Sequence, residues 1–125
     1  PTGAILTRET ALKILAIAEK HDLLVISAEI YDRLVYDAEH VCFSSLPNAK
    51  NRTILLGGFS KDYAMTGWRI GYICANEELT KAFYLVHQYA VMSAPTIGQY
   101  AALEAIKNGE PYVRAMQEEY NRRRK

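Results

Sequence analysis

The sequence has few of the features that mark secreted, metal-binding or membrane proteins. Two of its 125 residues are cysteines, Cys42 and Cys74, and they form no Cys-x-x-Cys pair. The three histidines share no spacing typical of a metal site, so we predict no metal and a reducing compartment. No apolar run reaches the roughly 18 residues that span a bilayer, and no charged-then-apolar leader opens the chain. These absences favour a cytoplasmic protein without a membrane partner.

The sequence also lacks an excess of either positive or negative charge. The formal net charge of +1 gives no general attraction to nucleic acid or to an anionic membrane. The cationic run at 122–125 follows Glu118 and Glu119 at the spacing of helical ion pairs, so we interpret it as a solvated helix face and not as a nucleic-acid tail. With 50% hydrophobic and 23% charged residues, the composition is typical of a globular domain.

Hydrophobic patterns predict alternating helices and strands. Thr7 is a candidate cap for an amphipathic helix at about 8–21, and the continuous apolar run at 23–27 predicts a strand covered on both faces. Further strands are predicted at 53–56, ended by two glycines, and at 69–75. Residues suited to helix starts then introduce three helices: Asn76, Ser93-Ala94-Pro95 and Glu110-Pro111. In layered α/β folds ligands bind at the carboxyl ends of strands, so the loops after Ser27 and Leu56 are the candidate sites.

The loop after Leu56 holds the least ordinary residues. It includes Ser60, Lys61 and Arg69 among several glycines. A lysine can form an imine with a carbonyl once its pKa is lowered, while arginine and serine can hold a phosphate where glycine lets the backbone approach. These residues fit a phosphorylated, carbonyl-bearing ligand. By composition alone a lysine in a glycine-rich loop is more often merely solvated, so both interpretations stay open at this point.

Three segments together resemble the pyridoxal-phosphate-dependent aminotransferases of class I/II. Residues 59–72, FSKDYAMTGWRIGY, resemble the family's lysine signature. Residues 1–3, PTG, resemble the end of its N-P-T-G turn, and residues 25–31, VISAEIY, resemble the strand that normally ends in D-E-x-Y. The resemblance implies an α/β fold: the central part of an aspartate aminotransferase-like large domain, with a mostly parallel sheet flanked by helices.

The resemblance also implies an internal fragment. Residues 1–125 would form a partial cofactor-binding large domain, because both ends look truncated and the family's small domain is absent. We expect an isolated piece of this kind to turn over slowly or not at all. In the family the complete enzyme is a homodimer.

Carried over position by position, the resemblance assigns roles to four residues. Lys61 matches the catalytic lysine that forms the Schiff base with pyridoxal 5′-phosphate and moves the substrate proton. Arg69 matches the arginine that binds the cofactor phosphate, and Ser60 lies where a hydroxyl commonly helps. Tyr31 matches the tyrosine that hydrogen-bonds the cofactor's 3′-oxygen. Without the resemblance, Tyr31 would be interpreted as a tyrosine buried at a strand end.

Two positions depart from the family's pattern. Ala28 stands where the family has an aspartate that pairs with the protonated pyridine nitrogen, and Glu29 should not replace it because successive strand residues point to opposite faces. Removing one member of a buried ion pair costs about 3 to 5 kcal/mol, of which the pyridine escapes part by losing its proton. If most of the loss falls on the transition state, the reaction slows by roughly 100- to 1,000-fold. Alternatively, Ala28 marks a changed reaction. Asp62 replaces the small or uncharged residue often found after the lysine.

The implied activity is transfer of an amino group between an L-amino acid, aspartate-like or aromatic, and a 2-oxo acid, in a biosynthetic process. Two alternatives stay open. One is a lyase or synthase on the same scaffold, and the other is a non-catalytic remnant that serves as a structural or binding module.

Overall fold

The computed structural model of the chain describes residues 3–125, so most of the PTG segment lies outside the described residues. The strands are β1 (Val25–Ala28), β2 (Thr53–Gly58) and β3 (Gly71–Cys74). The helices are α1 (Arg8–Lys20), α2 (Glu77–Ala90), α3 (Thr96–Asn108) and α4 (Glu110–Arg124). Short 3-10 turns lie at Phe43–Ser45, Lys50–Arg52 and Thr66–Trp68. The α/β prediction is confirmed.

The three strands form one mixed sheet in the order β1-β2-β3. β1 and β2 are parallel, with Ala28 opposite Leu56, and β2 and β3 are antiparallel, with Gly57 opposite Tyr72. The parallel pair places the carboxyl ends of β1 and β2 side by side. β2 continues through the two glycines that were expected to end it, while β3 starts later than predicted because Arg69 has a left-handed backbone with φ of 54°.

Two of the predicted helix starts, those of α1 and α2, are confirmed by side-chain caps. Thr7 Oγ1 accepts a hydrogen bond from the Thr10 amide at 3.2 Å, and Asn76 Oδ1 accepts one from the Leu79 amide at 2.9 Å. Each cap satisfies a backbone donor that the first helical turn leaves free. None of the described helices is long and apolar enough to cross a membrane.

The cationic end of α4 is a solvated helix face, as predicted. Glu119 Oε1 accepts from Arg122 at 2.7 Å and from Arg123 at 2.6 Å. These hydrogen bonds lower the pKa of Glu119 to about 2. Arg124 reaches the carboxylate of Asp37 in the loop after β1, so the run pairs with acidic side chains of the same chain.

The buried side chains form two clusters that hold the two candidate loops. The first joins α1 to the β1–β2 connection and consists of Ala11, Leu15, Phe43, Leu46 and Ala49. The second joins the loop after β2 to α3 and consists of Phe59, Met65, Ile70 and Ala102. The clusters fix where each loop leaves the sheet.

The expectation that the first strand is covered on both faces is wrong for the described residues. Val25 packs against the cluster formed with α1, but Ile26, on the opposite face, is 68% exposed. Every residue of β3 is exposed as well. An apolar run indicates that a segment forms a strand. Whether both faces of that strand are buried depends on which other elements pack against them, and none of the described residues covers Ile26.

Candidate functional site

The lysine loop begins where β2 ends at Gly58 and is folded back on itself by backbone hydrogen bonds. The Met65 amide donates to the Phe59 carbonyl at 3.2 Å, and the Ala64 amide donates to the Lys61 carbonyl at 3.2 Å. Phe59 and Met65 are buried against α3. Lys61 is therefore presented from a short, closed turn whose two flanks are anchored in the core.

Ser60, Lys61 and Arg69 line one cleft, of about 420 Å³, together with Thr66 and the glycines of β2 and β3. This volume lies within the range of about 300–1,000 Å³ typical of small-molecule sites. Two of the lining side chains are cationic and none is acidic. An anionic group is the ligand that such a donor set favours.

Arg69 is held in place by the turn before it. Its Nη1 atom donates to the Thr66 carbonyl at 2.8 Å, and its left-handed φ of 54° turns the chain out of the 3-10 helix. A guanidinium has five N–H donors in a planar fork, so one bond to a carbonyl leaves donors for a phosphate. Arg69 is exposed, which makes these donors accessible from solvent.

Tyr31 lies in a neighbouring cleft and not in the one that holds Lys61. This second cleft, of about 210 Å³, is lined by Tyr31, Ala28 and the segment Ala4–Leu6, among others. Tyr31 is 54% exposed, so it is not a tyrosine buried at a strand end. Ile30, the preceding residue, does line the Lys61 cleft, so two consecutive residues after β1 line the two clefts.

Glu29 is held by a hydrogen-bond network on its own side of β1. Its Oε1 accepts from Ser27 Oγ and from the Phe43 amide, both at 2.9 Å, and its Oε2 lies 2.7 Å from His40 Nε2. Burial raises the pKa of Glu29, but the hydrogen bonds from Phe43, His40 and Ser27 together outweigh it and lower this pKa. A carboxylate engaged in this way does not stand in for the aspartate that the resemblance led us to expect at position 28.

Asp62 is buried directly after Lys61, and sequence reasoning did not find a role for it. Asp62 and Asp32, the residue after Tyr31, line the same cavity. Burial and the neighbouring Asp32 carboxyl raise the pKa of Asp62 to about 8. The acidic residue at 62 was visible in the sequence, but its pairing with a residue thirty positions earlier depends on the parallel alignment of β1 and β2.

The side chains at the end of β2 fit pyridoxal phosphate in part. An amine, a hydroxyl and a guanidinium share a cleft without an acidic residue, which suits a carbonyl and a phosphate. Tyr31 is one residue beyond that cleft. At position 28, alanine offers no acceptor for a pyridine nitrogen, and the Glu29 carboxylate is engaged elsewhere.

Comparison with known proteins places the chain in a family. The family described as aminotransferase class I and II matches residues 1–125. YugH of Bacillus subtilis, a protein named as an aminotransferase, is 46% identical over 99% of this chain and 32% of its own length. The aspartate/prephenate aminotransferase of Thermus thermophilus is 41% identical over 99% of this chain and 32% of its own length.

Solved structures agree with the sequence relatives. The aromatic aminotransferase of Pyrococcus horikoshii superposes with a TM-score of 0.94 and 40% identity, covering 99% of this chain and 34% of that one. The chain thus spans about a third of the length of the relatives it matches. Since the family match extends over all of its residues, the chain belongs to the aminotransferase class I and II family.

Proposed function

We propose that this chain contributes the cofactor lysine of a pyridoxal-phosphate-dependent aminotransferase, which moves an amino group between an L-amino acid and a 2-oxo acid. The observation that carries the proposal is the shared cleft of Lys61, Ser60 and Arg69 in a chain of this family. When bound, pyridoxal phosphate supplies an aldehyde that captures amines and a ring that accepts electrons.

Each residue has a distinct part in the proposal. Arg69 and Ser60 bind the phosphate by charge-assisted and neutral hydrogen bonds. Lys61 would hold the cofactor through its carbonyl carbon, whose oxygen leaves as water, and its amine would move the proton at the substrate α-carbon. Tyr31 donates a hydrogen bond to the cofactor's 3′-oxygen. The support for this role is that Tyr31 directly follows Ile30, which lines the cleft of Lys61.

The proposed donor is aspartate or an aromatic amino acid. The support is the substrates printed in the names of relatives, an aspartate/prephenate aminotransferase and an aromatic aminotransferase. We further propose that residues 1–125 are part of a cofactor-binding large domain in a cytoplasmic, biosynthetic homodimer. Free Cys42 and Cys74 suit a reducing compartment, and the exposed apolar side chains of α2 and α3, such as Val86 and Ile97, suit burial against further protein.

Reductive trapping tests the proposal. The protein is incubated with pyridoxal phosphate, reduced with borohydride and analysed by peptide mass spectrometry, with Lys61→Arg and Lys50→Arg as the variant and its exposed control. We expect a reduced adduct at Lys61 that is lost in Lys61→Arg and kept in Lys50→Arg. An adduct spread over surface lysines, or none, would contradict the proposal.

A turnover assay separates the enzyme classes. Transfer of ¹⁵N from labelled aspartate, tyrosine or phenylalanine to 2-oxoglutarate identifies a transaminase. Product formation from an amino acid without any 2-oxo acid identifies a lyase or synthase instead.

Ala28 specifically favours a second candidate function, a catalytically impaired or non-catalytic binding module. Cofactor binding depends on Lys61 and Arg69, whereas electron uptake by the ring depends on a charge partner at position 28. Trapping at Lys61 without amino transfer is the result that this candidate predicts.

A further inference from the structure

Two aspartates directly follow two of the residues proposed to contact the cofactor, one from each cleft. Asp32 follows Tyr31 and Asp62 follows Lys61, and both aspartates line one cavity of about 400 Å³. Asp62 is 3% exposed, and its Oδ1 atom has no hydrogen-bond partner among the described residues. A buried carboxylate oxygen without a donor is costly, so its place in the same cavity as a second carboxyl requires a physical cause.

A proton held between the two carboxyl groups supplies the missing donor. Two ionised carboxylates in contact repel each other, whereas one shared proton converts the contact into a hydrogen bond. Burial and the Asp32 carboxyl raise the pKa of Asp62, in the direction that retains this proton near neutral pH.

Arg33, the cation that lines this cavity, does not neutralise the pair. A hydrogen bond from the Arg33 backbone amide and the Arg33 charge lower the pKa of Asp62, but burial and Asp32 outweigh them and raise it. The Arg33 guanidinium is engaged by the Glu110 carboxylate and lies 5.8 Å from the ring centre of Tyr63. The other titratable groups that line the two cavities at Asp62 are three phenols and one carboxyl: Tyr63, Tyr72, Tyr112 and Glu104. No lysine lines either cavity.

We propose that Asp32 and Asp62 share one proton and thereby join the loop that carries Tyr31 to the loop that carries Lys61, as positioning residues. The shared proton would exist in this chain whether or not a cofactor binds. Its consequence for cofactor binding rests on the proposed function. When the proton is lost, the two carboxylates repel, and the loops separate or admit water.

The sign of the pH dependence follows from the direction of the shift. A carboxyl whose pKa is higher in the folded state than in the unfolded state stabilises the fold while it is protonated. That contribution is complete below the unfolded pKa and is lost as the pH rises through the folded value of about 8. The link between the loops is therefore intact in mild acid and broken in mild alkali.

Carbon-13 NMR of the aspartate carboxyls tests the shared proton in the unmodified protein. We expect one aspartate signal to titrate with a midpoint near pH 8 and to lose this titration in Asp62→Asn. The matched control is Asp22→Asn, because Asp22 follows the end of α1 and its side chain is fully exposed. If every aspartate titrates below about pH 5, the ordinary range for this side chain, the proposal is overturned.

Hydrogen exchange tests the link between the loops. In the wild type, amides at 30–33 and 59–65 should lose protection together as the pH passes the titration midpoint, after correction for intrinsic exchange. Asp62→Asn keeps a neutral hydrogen-bonding side chain, so protection should persist at high pH. Asp62→Ala removes the bond and should lose protection at every pH. Protection in both segments that is independent of the carboxyl titration would overturn the link.

A third experiment, which measures cofactor binding, separates the shared proton from the proposed function. Borohydride trapping of pyridoxal phosphate is measured across the same pH range. Adducts that decline with the carboxyl titration in the wild type, but not in Asp62→Asn, support the inference. Adducts that form with ordinary aspartate titration overturn the inference and leave the function standing. A shared proton with no adduct at any pH supports the pair and contradicts the function.

Discussion

Glu29 and His40 meet at the carboxyl end of β1, with Glu29 Oε2 2.7 Å from His40 Nε2. The same carboxylate accepts hydrogen bonds from Ser27 and from the Phe43 amide. One side chain thereby joins β1, the following loop and the 3-10 turn that enters the first buried cluster. This network sets the path of the chain on which Ala28 and Tyr31 lie.

Replacing Glu29 by Gln should destabilise the fold near neutral pH. The amide keeps one acceptor but loses the charge-assisted bonds, each worth about 1.5–3 kcal/mol, so we expect a loss of about 2 kcal/mol. The pKa of Glu29 is lowered, which means that its stabilisation is present above the unfolded pKa and disappears as the pH falls through the folded value. Denaturant unfolding across this range should show the two proteins converging in acid. A difference that persists in acid would contradict the charge-based explanation, and Glu39→Gln, an exposed neighbour, is the control.

Replacing Gly57 by Ala should also destabilise the protein, by overpacking. A β-carbon at Gly57 would lie 2.2 Å from Tyr72 Cζ, and such crowding costs typically about 1–3 kcal/mol. Gly58→Ala is the matched control, because its β-carbon would meet only backbone atoms at 3.5 Å or more. Thermal unfolding of both variants and of Gly57→Ala with Tyr72→Ala tests the cause. Equal destabilisation by the two single alanines would show that Tyr72 is not responsible.

Replacing Arg69 by Lys should weaken binding of pyridoxal phosphate by about 10- to 100-fold, since lysine cannot make the two parallel hydrogen bonds of a guanidinium. Arginine and lysine adopt the left-handed φ at position 69 at a similar cost, so the substitution does not add backbone strain. Affinity for pyridoxal, which lacks the phosphate, should change little. Fluorescence titration with both compounds makes the comparison, and an equal loss for both would place Arg69 outside the phosphate site.

Restoring Ala28→Asp should accelerate a single turnover with amino acid. Position 28 is exposed among the described residues, so the restored pair is incompletely desolvated, and we expect the low end of the range, about 100-fold. Ala28→Asn, similar in size but uncharged, should remain slow. Stopped-flow absorbance of the cofactor follows the reaction. A rate that is equal in all three proteins would show that position 28 does not limit it.

The starts of α1 and α2 and the family resemblance of the segment around Lys61 were readable from the sequence. Thr7 and Asn76 cap their helices through bonds that span three residues, and the signature around Lys61 is one continuous segment. Such features are encoded locally, so neighbouring residues suffice to predict them.

Other relationships depend on long-range packing and could not be predicted in this way. The parallel pairing of β1 with β2 brings Asp32 to Asp62 and leaves Tyr31 in a cleft beside that of Lys61. The exposure of Ile26 likewise contradicts its apolar run. A side chain's type and spacing indicate which face of a strand it occupies, but which groups meet it, and whether water does, depends on segments far away in the chain.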